Sequence, residues 1–388
     1  MVLPELKTRR DKIRVFMAQQ HIDAALITCN VNLLYTCGQI IKGYLYMPLH
    51  APARIFVIRP NIFTGELIHS IRKPEQIPDI LKEEGLPLPQ TLMLEADELP
   101  YTEYNRLASI FPEAIVVNGT PLIRKARSVK TDMEIENFRR ASIAHAKAYG
   151  KIPSVYSEGM TDHEFSIEIE RLMRLEGCLG LFRISGRDME IFMGSVLTGD
   201  NAMTPSPYDF ALGGGGLDPS LPIGANGTLL EEGKSIMVDI GGNFNGYISD
   251  MSRTYSVGKL DDKAYIAHQV CLDIQEKVIS MVQPGVICEM LYNAAIELVT
   301  ASGFSDCFMG IGQQAKFIGH GIGLEINEVP IIAPHFMQEL EQGMVFALEP
   351  KIVLPGIGPV GVENSWVVTS TGVEKLTNFA EEIVDLRA

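Results

Sequence analysis

The stretch KFIGHGIGLEINEVPII, residues 316–332, sets a single imidazole, His320, between Gly319 and Gly321 and then alternates apolar with polar residues. Such alternation reads as a half-buried strand. Glycine on both sides of a histidine removes bulk where another group has to come close. A lone histidine of this kind is more often structural than a ligand, so its meaning depends on what else the chain brings to it.

Outward from that stretch, the second part of the chain repeats itself. Gly159 opens GMTDHEFSIEIERLMRLEG, closing at Gly177, and Gly285 opens GVICEMLYNAAIELVTASG, closing at Gly303. Each interval holds one amphipathic helix and ends on a glycine suited to a left-handed C-cap. A longer helix precedes each, over 133–150 and about 262–282. Thr131 with Glu134 and Thr161 with Glu164 have the spacing of a capping box, in which hydroxyl and carboxylate satisfy each other's free amides. A β-hairpin follows in both copies. Gly233 precedes KSIMVDIGG and Gly343 precedes MVFALEPKI, with an acid, Asp239 or Glu349, equally far beyond each glycine. A second acid lies on each return strand, Asp250 in YISDMSRTY and Glu363 in VGVENSWVV. Repeated elements with acids at matched places are the mark of internal duplication.

A loop over Asn243–Gly246 predicts that Gly242 pairs with Tyr247 and Asp239 with Asp250. Directly paired residues share a face, with Cβ atoms about 4.5–5.5 Å apart. Val238, Ile240 and Ile248 point to burial, and desolvation worsens the repulsion between two carboxylates. Glu349 and Glu363 pose the same problem, so four buried acids need protons or metal ions. Two divalent ions neutralise four acids, and bridging carboxylates suit ions about 3.5–4 Å apart. His320 then supplies the nitrogen ligand, with Gly319 and Gly321 letting backbone approach the ions. An oxygen-rich set with one imidazole suits Mn²⁺, Fe²⁺, Co²⁺ or Zn²⁺ and does not discriminate among them.

The rest of the sequence narrows the class. At 388 residues two domains are expected, an α/β domain over 1–125 and a larger α+β domain over 126–388. In the first, DAALITC, ARIFVIRP, TLMLEAD and AIVVNG read as strands, SIRKPEQIPDILKEEG and TEYNRLASIF as helices, and PLIRKARSVK as a linker. A net charge of −15 argues against a nucleic-acid partner. No apolar run reaches membrane-spanning length, and the N-terminus lacks a signal-peptide core. Six scattered cysteines without a Cys-x-x-Cys pair fit buried thiols in a reducing compartment, so a cytoplasmic protein is expected. Gly213–Gly216 lacks the Gly-Lys-Ser/Thr of a phosphate loop.

Taken together, these motifs resemble the pita-bread metallopeptidases: prolidases (Xaa-Pro dipeptidases), proline aminopeptidases and methionine aminopeptidases, with creatinase as a metal-free relative. VDIGGNFNGYISDMSRTY, GHGIGLEINEVP, ALEP and GVENSWVVT are similar to the four site motifs of that family, and RKARSVKTDMEIENFRRA to the start of its catalytic domain. NVNLLYTCG resembles the creatinase-type N-terminal domain of the proline-specific branch. The resemblance implies a pita-bread catalytic domain with internal duplication behind a smaller α/β domain. It implies Asp239, Asp250, His320, Glu349 and Glu363 as ligands of two divalent ions, and a homodimer. The implied reaction cuts the amide bond before proline in short peptides by a hydroxide shared between the ions, with Glu349 as general base.

Three positions depart from the family pattern. Asn327 stands where a histidine donates to the substrate carbonyl; an amide can donate there but cannot pass a proton. Ile223 takes the place of a second histidine, and Gly361 that of an arginine. The segment Arg187–Ser220 ahead of Ile223 is expected to line the pocket, and His50 or His335 to compensate for the lost histidines. The departures keep two other readings open: hydrolysis of a non-prolyl or non-peptide amide, and a weakly active or non-catalytic scaffold.

Overall fold

A computed structural model of the chain describes residues 4–186, 189 and 191–388. It resolves two units, Met1–Arg127 and Ser128–Ala388. The first runs α1 Pro4–Gln19, β1 Ala24–Ile27, α2 Asn30–Cys37, β2 Lys42–Pro48, β3 Arg54–Arg59, β4 Ile68–Ser70, α3 Ile77–Glu83, β5 Thr91–Leu94, α4 Tyr101–Ile110, β6 Ile115–Asn118 and α5 Thr120–Ser128. Its strands form one mixed sheet in the order β4-β3-β2-β1-β5-β6. The short apolar runs place Leu26, Phe56, Leu92 and Leu94 in its core. Two sequence readings need correction here. PLIRKARSVK does span the boundary between the two units, but as a helix, Thr120–Ser128, whose Leu122, Ile123 and Ala126 are buried. Apolar residues three and four apart give that basic segment a face to bury. The strand β2, GYLYM among its residues, gives no period-two signal because Gly43–Met47 are all buried and show no alternation.

The second unit continues with α6 Asp132–Tyr149, α7 Asp162–Leu175, β7 Gly194–Thr198, β8 Ser235–Ile240, β9 Gly242–Asn243, β10 Ile248–Ser249, β11 Ser252–Ser256, α8 Asp262–Met281 and α9 Cys288–Ala301. It closes with β12 Gly319–Gly321, β13 Glu328–Ile332, β14 Val345–Leu348, β15 Lys351–Leu354, β16 Gly358–Gly361, β17 Asn364–Val368, β18 Val373–Lys375 and β19 Val384–Asp385. Both capping boxes form, Thr131 with Glu134 and Thr161 with Glu164. Gly177 (φ +97°) and Gly303 (φ +75°) end α7 and α9 in the left-handed region. Behind them Cys178 N–H reaches Met173 O at 3.0 Å and Phe304 N–H reaches Val299 O at 3.2 Å, the same closing bond in each copy.

Each helix pair is matched by a sheet, β19-β11-β8-β7 in the first copy and β13-β12-β14-β17-β18 in the second. α6 and α7 contribute Tyr149, Phe165 and Ile169 to one core with Val238 and Tyr255. Cys271, Ile274, Leu291 and Ala295 of α8 and α9 join Phe346 and Leu348 in the other.

The register of the first hairpin differs from expectation. Ile248 pairs with Asn243 and Ser249 with Gly242, so Asp239 faces Ser252, not Asp250. The turn closes one residue later because Asn243 Oδ1 accepts the Gly246 N–H at 2.9 Å and Asn245 Oδ1 the Tyr247 N–H at 3.2 Å. The slip is by two residues, so every side chain keeps its face. The second hairpin keeps one register on both sides of its acids, Leu348 opposite Asn364 and Lys351 opposite Gly361.

Candidate metal centre

Five side chains from both copies come together. Asp250, His320 and Glu363 offer ligand atoms within 4.8 Å of one another, and so do Asp239, Glu349 and Glu363. His320 Nε2 lies 3.4 Å from Glu349 Oε1 and 3.7 Å from Asp250 Oδ2. Asp250, Glu349 and Glu363 are buried. Backbone and neighbours hold them there. Arg253, itself buried, donates from Nη1 to the carbonyls of Ser252 and Glu363, each at 2.7 Å. Ser252 Oγ donates to Glu363 Oε2 at 2.6 Å, and Ser365 Oγ to Asp250 O at 2.8 Å. Tyr149 fills the gap where the β8–β11 ladder opens. Its hydroxyl donates to Met251 O at 2.7 Å and accepts the Ile240 N–H at 3.2 Å.

The glycines beside His320 also make room for their own neighbouring strands. A Cβ at Gly319 would stand 2.4 Å from Ala347 O, and one at Gly321 would stand 2.3 Å from Val329 O. They admit the neighbouring strands β14 and β13, which pack tightly about the short β12.

A sixth residue, absent from the sequence reading, lies at the centre. Lys351 Nζ is 2.7 Å from Asp239 Oδ2, 2.5 Å from Glu349 Oε2 and 3.7 Å from Glu363 Oε2, with its side chain wholly buried. The signal was present: a lysine inside the apolar run Lys351–Leu354, two residues past Glu349 and so on the same face of an extended chain. A lysine is almost never fully buried without a partner.

Charge is unevenly balanced across the cluster. Burial alone would raise Glu349, but the Lys351 ammonium and His320 hold it down to about 2. Burial would lower His320, yet Glu349 and Asp250 lift it to about 9. Asp250 is pushed up to about 7, chiefly by burial and then by the charges of Asp239 and Glu349. Glu363 is raised well above the carboxylate range by burial, Asp250 and Glu349. The unmet demand for positive charge therefore lies between Asp250 and Glu363, beside His320. One nitrogen and carboxylate oxygens from several strands fit a divalent ion at that point.

The other expected site residues are placed as follows. Asn327 is tied to the backbone of Ser185, accepting its N–H at 2.8 Å and donating to its carbonyl at 2.6 Å. Ile223 is buried in the loop that follows the glycine run, and Gly361 lies in β16. His335 does not compensate for a lost histidine, since its side chain is 95% exposed and lies 3.6 Å from Glu289. His50 belongs to the first unit. Of the segment Arg187–Ser220, Arg187, Asp188 and Glu190 lie outside the described residues; the remainder includes the edge strand β7. Its Met203, Tyr208 and Phe210 join Gln313, Phe317 and Ile331 around a cavity of about 350 Å³. Ile331 pairs with His320 across β12–β13, and the Phe317 ring stands 6.1 Å from the His320 ring.

Among known proteins, residues 136–370 match the family described as metallopeptidase family M24, and residues 9–129 the creatinase/prolidase N-terminal domain. The Xaa-Pro dipeptidase of Pyrococcus furiosus is 26% identical over 386 residues, covering 98% of this chain and 100% of that protein. The structure of an Xaa-Pro dipeptidase from Bacillus anthracis aligns with a TM-score of 0.80 at 25% identity, over 98% of this chain and 99% of that one. The prolidase of Pyrococcus horikoshii OT3 aligns with a TM-score of 0.78 at 24% identity, over 97% and 99%. The fold is thus a creatinase-type N-terminal domain followed by a pita-bread catalytic domain. No helix among the described residues is long and apolar enough to cross a membrane.

Proposed function

Because the chain belongs to metallopeptidase family M24, we propose that it hydrolyses the amide bond before proline in short peptides, using a divalent metal ion. The observation that carries the reading is the meeting of Asp250, His320, Glu349 and Glu363 at one buried point. The names of its relatives, Xaa-Pro dipeptidases along their full length, support the substrate class. In this reading Asp250, His320, Glu349 and Glu363 hold the ion, and Asp239 completes the cluster. The bound ion supplies a Lewis acid for the amide carbonyl and makes water nucleophilic near neutral pH. Glu349 takes the proton of that water as general base. The cavity beside His320 receives the peptide, with Phe317, Tyr208 and Phe210 as its aromatic wall. Asn327 and Ile223 act on the substrate side, Asn327 by fixing the segment at Ser185. Manganese as the ion, a homodimer as the assembly and the cytoplasm as the location complete the proposal.

Metal-stripped protein reloaded with Mn²⁺ or Co²⁺ should release amino acid from Xaa-Pro or Xaa-Pro-Xaa peptides. Absence of hydrolysis in both series would remove the reading. The engagement of Asn327 with Ser185 favours one second reading, hydrolysis of a non-prolyl or non-peptide amide, since a group so bound is a poor donor to a peptide carbonyl. A panel of such amides beside the dipeptides separates the two.

A further inference from the structure

We propose that the centre takes one divalent ion and that the ammonium of Lys351 stands in the place of a second. The inference rests on the metal-dependent reading above and deepens it. Two donor groups share the cluster, Asp250 with His320 and Glu363, and Asp239 with Glu349 and Glu363. Glu349 faces both, turning Oε1 to His320 and Oε2 to Lys351. Lys351 Nζ lies against Asp239 and Glu349 and within 3.7 Å of Glu363, so every acid of the second group faces one cation already. An ion bound to these oxygens at about 2.0–2.2 Å would be in contact with Nζ. Two cations cannot share that position.

The lysine stem is closely packed where it stands. Opposite it stands Gly361, where a Cβ would lie 2.9 Å from Lys351 Cα and 3.2 Å from its Cγ. The missing side chain leaves the room that the lysine stem fills. Beyond it, Ile352, Val353, Leu354 and Val360 are fully buried and apolar. A lysine turned away from the acids would carry its charge into that packing, which is far costlier than keeping it paired. The first copy of the repeat has Gly241 two residues past Asp239, so the cation is built into one copy alone. The first group, with His320, remains as the ion's position.

The full-length protein, stripped and reloaded with Mn²⁺ and freed of excess ion, is counted by elemental analysis and examined by electron paramagnetic resonance. The expected result is about one manganese per chain with the six-line spectrum of an isolated ion; a pair of ions would couple and broaden it. Lys351→Ala should bind about two, with the coupled spectrum. Two ions per wild-type chain, or one in both proteins, overturns the inference. Should Lys351→Ala not fold, Asp239→Asn decides: a count held near one with unchanged affinity supports it, and a fall in affinity of tenfold or more overturns it. Wild-type protein that binds no manganese overturns this inference together with the metal-dependent reading, whereas two ions overturn this one alone.

Discussion

Two copies of one motif build the centre, and they differ in what they add to their acids. In the first copy Met237 faces Leu197 across the edge-strand pair, and Gly241 follows Asp239 by two residues. In the second, Ala347 faces His320, and Lys351 follows Glu349 by two residues. The carboxylates are shared evenly, while both nitrogens come from the second copy. Duplication brings the acids together; the groups that neutralise them arise where one copy departs from the other.

The comparison predicts unequal roles for acids at matched positions. Glu349→Gln should lower kcat on an Xaa-Pro dipeptide by about 10²–10⁴-fold, the range of a lost general base. Asp239→Asn should cost much less, and steady-state kinetics showing equal losses would erase the difference between the copies. Next in size, Lys351→Met leaves Asp239 and Glu349 facing each other without their cation. Removing one partner of a buried charge pair costs about 3–5 kcal/mol, to be read from urea unfolding of metal-free protein. In the first copy Tyr149→Phe removes the hydroxyl that spans the open ladder, at a cost of about 1–3 kcal/mol by the same measurement.

The last effect concerns pH. His145 is buried in the first copy beside Ser249, its pKa pushed down to about 3 by burial, with the charge of Arg253 adding. The unfolded imidazole takes a proton below about 6.5, and the folded one does so only near the lower value. Stability should therefore be fully present above that range and fall as pH drops through it, by up to about 1.4 kcal/mol per pH unit. His145→Gln should flatten this slope between pH 6.5 and about 5; an unchanged slope would assign the acid sensitivity elsewhere.

Much of this was legible because it is local. A capping box needs only the spacing of Thr131 and Glu134, and a helix end needs only a glycine that tolerates the left-handed region, as at Gly177 and Gly303. The acids announced themselves by matched positions within the repeat, and His320 by the glycines on either side of it. Other features were hidden for physical reasons. The hairpin register turned on side-chain bonds from Asn243 and Asn245 inside the loop, which residue spacing does not encode. Charge counting with ions and protons alone left out Lys351, since a lysine ordinarily stays at the surface. The need of Gly319 and Gly321 to admit the backbones of β13 and β14 was equally hidden, since it depends on strands distant in the chain.

By itself the sequence determined the class of fold, the duplication and the identity of the residues that converge, because periodicity, capping and spacing act over a few residues. Only the tertiary structure decided which charges meet. Strands distant in the chain bring Lys351 against Asp239 and hold His320 beside Asp250 and Glu349. Those distances depend on how two sheets pack, and electrostatic energy in a buried site varies steeply with them.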